Sequence, residues 1–271
     1  MCIYVGVESV KSPLIALRQA LYDAVSENTL DISRVAVAFS GGVDSSLLAK
    51  LCHHLNKQVT LLTIGFPGSH DIGFSKAIAS KMGMSHKVYE INSLDFQEKL
   101  QSIRQTINCS ITSHIENCIA YFYVSELAKQ NDLNTVLSAN GCDELFCGYD
   151  KYRKVYLNGE TQIERLMDES LINEFNLMRE INIVSEALGI QVKQPFLSSK
   201  FIKFAKSIPI DQKIKGSDDM IRKHILRSAA LVLGVPKEAA MKPKKALQYG
   251  SDIHKYFKRA NEKSTLWQLS F

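Results

Sequence analysis

The stretch Ser40-Gly41-Gly42-Val43-Asp44-Ser45-Ser46 sets two adjacent glycines among three hydroxyls and a carboxylate. Adjacent glycines let the chain turn sharply and bring backbone N–H groups close to an anion, and the hydroxyls of Ser40, Ser45 and Ser46 add donors. The run Val35-Ala36-Val37-Ala38-Phe39 just before it reads as a buried parallel strand. The helix expected to follow, 44–55, carries an apolar stripe at Leu47, Leu48, Leu51 and Leu55 and points its positive N-terminus at the same spot. The loop is predicted to bind phosphate.

This is not a Walker A loop, because Gly-x-x-x-x-Gly-Lys-Ser/Thr is absent and the loop holds no lysine. It holds Asp44 instead, which phosphate would repel unless a divalent cation lay between them. Magnesium pyrophosphate is therefore the expected bound group. A second stretch, Ser138-Ala139-Asn140-Gly141-Cys142-Asp143-Glu144-Leu145-Phe146-Cys147-Gly148-Tyr149, follows a predicted strand at 135–138 as the first loop follows its own. If those two strands are neighbours across a switch point, Asp44 and Asp143 converge and can share the magnesium as its ligands.

Positioning these loops falls to a strand and helix alternation. Ser12-Pro13 followed by Leu14, Leu17, Leu21 and Val25 predicts a leading helix. Further strands are expected at 59–64 and 86–91, the first ending in the turn-rich Gly65-Phe66-Pro67-Gly68-Ser69, and a helix from Asp71 stops at Gly83. Helices are expected at 94–107, with Leu94, Leu100, Ile103 and Ile107 on one face, and at 113–130. This order predicts an α/β fold with a doubly wound, mainly parallel sheet. From Leu157 strand signals fade, and a mostly helical C-terminal part is expected. There Ser217 would cap a helix over 218–233, with Lys223 and Arg227 sharing a solvated face. The whole of 1–271 reads as one domain: a lead-in over 1–33, a nucleotide-binding core over 34–156 and helices over 157–271.

Composition bounds the remaining possibilities. With 271 residues and 45% hydrophobic content the chain can bury a sizeable core. Six cysteines without a C-x-x-C pair or a His/Cys ligand spacing argue against structural zinc and thioredoxin-like chemistry and read as reduced thiols. No apolar run approaches the ~20 residues of a membrane span, and residues 1–10 lack the pattern of a signal peptide, so a cytoplasmic protein with no membrane partner is expected. The formal charge of +5 concentrates in 191–250, which holds 13 Lys and Arg against 4 Asp and Glu. Without aromatic interleaving or a recognised module, that basic region is read as a solvated face that steers ATP rather than as a nucleic-acid surface.

Together these motifs resemble the synthetase domain of asparagine synthetases, within the ATP-pyrophosphatase superfamily with its S-G-G-x-D-S loop and an adenine nucleotide α-hydrolase-like fold. Its second signature, S-x-x-G-x-D-E-x-F-x-G-Y, matches Ser138, Gly141, Asp143, Glu144, Phe146, Gly148 and Tyr149. Gly65 to Ser69 is similar to the L-P-G-S loop, Gln194-Pro195-Phe196-Leu197 to the V-P-F-L segment, and Lys223-His224-Ile225-Leu226-Arg227 with Lys242-Pro243-Lys244-Lys245 to the closing part. The resemblance covers about 14–250. It implies that a substrate carboxylate, aspartate in the type case, attacks the α-phosphate of ATP, that magnesium pyrophosphate leaves, and that ammonia captures the acyl-adenylate. It further implies that Ser40, Gly41, Gly42, Asp44, Ser45, Ser46 and Gly141 hold ATP and its pyrophosphate, with Ile64 and Ser138 on the adenosine side. Asp44 and Asp143 would bind Mg²⁺, and Lys244, or Lys245 in the neighbouring register, would supply the cation at the α-phosphate.

Two departures stand out. Asn140 occupies the place of the glutamate in the family's S-G-E-G-S-D-E, and an amide cannot take the proton that an attacking ammonium must lose. The glutamine-using members carry an N-terminal glutaminase domain that starts at a cysteine after Met1. Met1-Cys2 is present here, but only 39 residues precede the loop. The expected ammonia source is accordingly free ammonia or a separate glutaminase subunit, with a homo-oligomer as a further expectation. The expected activity is an AMP-forming carbon–nitrogen ligase that makes asparagine. Its alternatives are an adenylating ligase for a β-lactam, peptide-amide or tRNA acceptor, and a non-catalytic ATP-binding subunit.

Overall fold

The computed structural model describes residues 12–107, 109–243 and 245–268. Cys2 and Lys244 lie outside the described residues. Helix α1 (Pro13–Asn28) has its proline in the first turn, where a missing N–H costs nothing, and buries Leu17, Leu21, Ala24 and Val25. The chain then alternates: β1 (Arg34–Ala38), α2 (Val43–His54), β2 (Gln58–Gly65), α3 (His70–Met82) and β3 (Ser85–Glu90). Two helices, α4 (Ser93–Thr106) and α5 (Thr112–Lys129), lead to β4 (Thr135–Leu137).

The strands form one parallel sheet in the order β3-β2-β1-β4, with a fifth strand, β5 (Gln191–Lys193), beyond β4. Val37 at its centre pairs with Leu61 on one side and Leu137 on the other. All three are fully buried, which is why these strands read as continuous apolar runs rather than alternating ones. The order reverses between β1 and β4, so the two motif loops leave adjacent strands at their carboxyl ends.

After β4 come α6 (Cys142–Leu145), α7 (Asp150–Val155) and the long α8 (Glu160–Glu186), then β5 and α9 (Ser199–Ser207). The remainder is α10 (His224–Val232), α11 (Lys237–Ala240), α12 (Leu247–Gly250) and α13 (Ile253–Gln268). Buried side chains from α1 through to α13 form one contiguous apolar cluster. Among the described residues no helix is long and apolar enough to cross a membrane.

The secondary-structure elements depart from the sequence expectations in three places. Strand β5 lies within the region expected to be helical; at three residues it is too short to show an alternation of faces. Leu94 is 82% exposed, and Phe96 takes its place on the buried face of α4 with Leu100, Ile103 and Ile107. Six residues ahead of Leu100, position 94 falls about 120° off that face, whereas position 96 lies one turn below it. The helix expected over 218–233 begins only at His224. Asp219 instead accepts the N–H groups of Lys215, Ile221 and Arg222, and these bonds hold the segment as a turn. Burial opposes the charge on Asp219, but the Arg222 and Lys215 amides and His224 outweigh it and pull its carboxyl down to about 2.

Candidate active site

The glycine loop is shaped by what surrounds it. Gly41 has φ +72°, and a Cβ there would stand 2.9 Å from the Phe74 ring on α3. Gly42 then enters α2, placing Asp44 in its first turn. Within the loop the Ser40 N–H faces Ser45 Oγ and the Gly42 N–H faces Ser40 Oγ, each at 3.4 Å. The strand end beneath is pinned sideways: Thr63 Oγ1 donates to the Phe39 carbonyl at 2.6 Å and meets His86 Nε2 at 2.8 Å. Burial, with Lys76 nearby, pushes His86 down to about 4, so at neutral pH it is uncharged and donates from Nε2 to Thr63.

Asp44 and Asp143 do converge. Between them stands Lys223, with Nζ 2.6 Å from Asp44 Oδ2 and 2.7 Å from Asp143 Oδ1. Lys223 is 1% exposed, which corrects the expectation of a solvated residue. Burial works to strip its proton, but Asp143, Asp44 and Cys142 outweigh that and hold the ammonium above the ordinary lysine range. Its approach depends on Gly148, where a Cβ would lie 2.2 Å from Lys223 Cε and 2.0 Å from Asp143 Oδ1. The backbone also bends to deliver it: Arg222 and Lys223 both take left-handed conformations, φ 51° and 56°. Arg222 Nε binds the Gly148 carbonyl at 3.1 Å. Arg227, also expected in solvent, is buried; its guanidinium donates to the carbonyls of Ile221, Arg222, Ala240 and Lys242. That ties the basic 240–245 segment to the turn.

A cavity of 320 Å³ opens between the two loops. Ser40, Asp44, Ser45 and Ile64 line one side, Asn140, Gly141, Asp143 and Glu144 the other, and α5 and α8 close the far wall with Tyr121 and Glu174. Ser138 is fully buried behind it and donates to Asn140 Oδ1. Ser46 is also fully buried, with its hydroxyl unpartnered, and is not a lining residue. A small chamber behind the loop joins Ser40, Asp44 and Ser45 to Lys223, Arg227, Lys242 and the exposed Lys245. A larger cleft of 730 Å³ at the amino ends of the strands, around Arg34, Asn134 and Gln191, is remote from both loops.

Asn140 is not idle in this cavity. Its Oδ1 accepts from Tyr121 at 2.8 Å, and its Nδ2 donates to Glu174 Oε1 at 2.5 Å. Glu174 on α8 is a carboxylate that sequence reasoning missed, although a signal was there. It falls on the stripe of Ile163, Met167, Leu171, Met178 and Ile181, and a carboxylate at an apolar position of an amphipathic helix asks for a reason. Next to it, burial and then Glu174 and Asp143 push Glu144 well above the ordinary carboxylate range, against a 2.6 Å hydrogen bond donated by Tyr149.

A doubly wound parallel sheet with a glycine and serine loop facing an Asp-Glu loop across the switch point defines the PP-loop class of α/β fold. Comparison with known families narrows it: the Asparagine synthase family matches residues 16–174 and 158–269, and the chain belongs to that family. A Methanocaldococcus jannaschii protein with the provisional name asparagine synthetase [glutamine-hydrolyzing] 1 is 28% identical over 91% of this chain and 51% of its own length. Asparagine synthetases [glutamine-hydrolyzing] of Brassica oleracea, 27% identical over 79% of this chain and 38% of their own length, and of Bos taurus, 28% over 90% and 44%, are similar too. The chain thus spans about half or less of the length of these relatives.

Proposed function

We propose that the chain is an ATP-dependent ligase that forms AMP and pyrophosphate and makes asparagine from aspartate and ammonia through an acyl-adenylate. The observation that carries this reading is the meeting of Asp44 and Asp143 at the switch point, beside a loop built to receive phosphate. In the first half-reaction an aspartate carboxylate oxygen attacks the α-phosphorus, and the bond to the bridging oxygen breaks to release pyrophosphate. Ser40, Gly41, Gly42 and Ser45 hold that leaving group, with Ile64 and Ser138 toward the adenosine. Lys244 supplies positive charge at the α-phosphate.

The residues suit magnesium. Asp44 Oδ1 is buried with no hydrogen-bond partner, and a hard oxygen donor of that kind is what Mg²⁺ takes. Asp44 and Asp143 would hold the ion, which when bound neutralises the departing pyrophosphate. Lys223 keeps the two carboxylates from repelling each other apart, whatever else is bound.

In the second half-reaction ammonia, free or released by a separate glutaminase, attacks the acyl carbon and AMP leaves. The incoming nitrogen must give up a proton. Asn140 cannot accept it, but its amide holds the Glu174 carboxylate in the same cavity, and Glu174 is the acceptor in this reading. The test is exchange of labelled pyrophosphate into ATP, which aspartate and Mg²⁺ should support with no amine present. Exchange driven by another acid and never by aspartate would replace asparagine with a different product. Nucleotide binding without exchange for any acid would end the ligase reading.

A further inference from the structure

On the wall formed by α5 and α8, three side chains from separate elements aim metal-ligating atoms at one point. Cys109 comes from the segment joining α4 to α5, His114 from the first turn of α5 and Glu180 from α8. The cysteine sulfur, a histidine ring nitrogen and a carboxylate oxygen all lie within 4.8 Å of one another. His114 is buried, and the other two are half-buried. None of the three has a role in the adenylation chemistry.

The hydrogen bonds around the cluster point to a cation. His114 Nε2 faces Asn173 Oδ1 at 3.2 Å, and Nδ1 faces Glu180 Oε2 at 2.9 Å. With its proton on Nε2 for the amide oxygen, the ring turns the Nδ1 lone pair toward an anionic oxygen. A cation between Nδ1 and the carboxylate would be bound by both, and the neighbouring sulfur brings a third ligand atom to the same point. That sulfur accepts the Ile111 N–H at 3.3 Å. A histidine whose second nitrogen is fixed by a carbonyl oxygen is also how metal-bound imidazoles are held.

We propose that Cys109, His114 and Glu180 form a site for a divalent cation of the zinc class, with three protein ligands and a fourth coordination position left for water. Soft thiolate, imidazole and one carboxylate select zinc over magnesium, which prefers oxygen alone. Binding releases the thiol proton to solvent. The site is distinct from the Asp44 and Asp143 pair, and it stands whichever acid the ligase activates. Its consequence is positional. His114 and Asn173 line the cavity, so a metal there clamps the 109–111 segment and α8 to the start of α5 and fixes the wall opposite the phosphate loops.

The experiment is a Co²⁺ titration of the full chain, prepared without a polyhistidine tag and stripped with a chelator. One equivalent should produce a thiolate-to-cobalt charge-transfer band with the strong visible absorption of a four-coordinate site, and zinc should displace it. Cys109→Ser should abolish the charge-transfer band. Asn173→Ala, which removes only the partner of the imidazole, should weaken cobalt binding by roughly 10–100-fold. A wild-type spectrum without the charge-transfer band, or a band that survives in Cys109→Ser, overturns the proposal. Far-ultraviolet circular dichroism confirms folding of the variants, and if Cys109→Ser fails to fold, the wild-type titration alone decides.

Discussion

The sheet half of the molecule and the basic segment from 213 to 245 contribute to the same site in opposite ways. In the sheet half, a carboxylate such as Asp44 or Asp143 is placed by its own neighbours: a strand, a turn, the first residues of a helix. In the basic segment a lysine's fate is decided by residues far away in the chain. Lys223 is 179 residues from Asp44, and no local pattern announces that it becomes the counterion of two buried carboxylates. Charge in the first region is legible locally, and in the second only through the fold.

The sharpest way to break this comparison is to remove the long-range cation. Lys223→Met leaves Asp44 and Asp143 facing each other without a counterion, and loss of one member of a buried ionic group costs about 3–5 kcal/mol. Urea denaturation should register that loss, and pyrophosphate exchange should fall with it. In the double variant Lys223→Met with Asp143→Asn, much of the stability should return while exchange does not. A Lys223→Met protein as stable and active as the parent would restore the solvated reading.

A second test separates the two half-reactions. Glu174→Gln keeps the size of the side chain and the means to hydrogen bond Asn140, but cannot accept a proton. Amide formation should drop by roughly 10²–10³, the size of a lost general base, while pyrophosphate exchange stays close to normal. Asn140→Glu in the Glu174→Gln background should recover part of the loss. Equal loss of both half-reactions would make Glu174 a residue that shapes the cavity rather than one that takes the proton.

These variants also mark how far the sequence could be read. The strand and helix order from 34 to 149 was legible because each apolar run was flanked by glycine, proline or a capping residue; that β1 and β4 are neighbours was a condition of the expected site, and the sheet meets it. Glu174 was legible in principle, as a charge on an apolar stripe. Lys223 was not, because the turn that aims it is built by Asp219 bonding three backbone amides, and an Asp-Asp pair ahead of an apolar stretch reads equally well as a helix start. Nor was the Cys109, His114 and Glu180 cluster, whose members come from three elements with no ligand spacing between them.

Lys244 tests the register of the same basic segment. Lys244→Ala should slow aspartate-dependent exchange by roughly 10²–10³ with less change in ATP affinity, as for loss of one transition-state donor. Lys245→Ala should be near normal. The reverse outcome moves the register by one residue, and two fully active variants remove this segment from the chemistry.

The smallest effect concerns Lys213, another lysine of the basic segment. It is fully buried, and its Nζ has no hydrogen-bond partner. Burial, only partly countered by Cys147 and Glu164, drops its ammonium to about 8 from an ordinary 10.5. Between those two values the unfolded chain carries the proton and the folded chain does not, so stability rises with pH across that window. Below pH 8 both states are protonated, and the folded protein bears the full cost of a buried unpaired charge. Lys213→Met removes it. The variant should gain about 1–3 kcal/mol in denaturant melts at pH 7, the order expected for a shift of this size on a buried group. The gain should shrink as pH rises above 8 and vanish beyond 10.5. A gain that persists unchanged at high pH would mean that methionine packs better there than lysine does. The contrast between a basic segment whose lysines are placed by distant carboxylates and one that is buried without any would then rest on Lys223 alone.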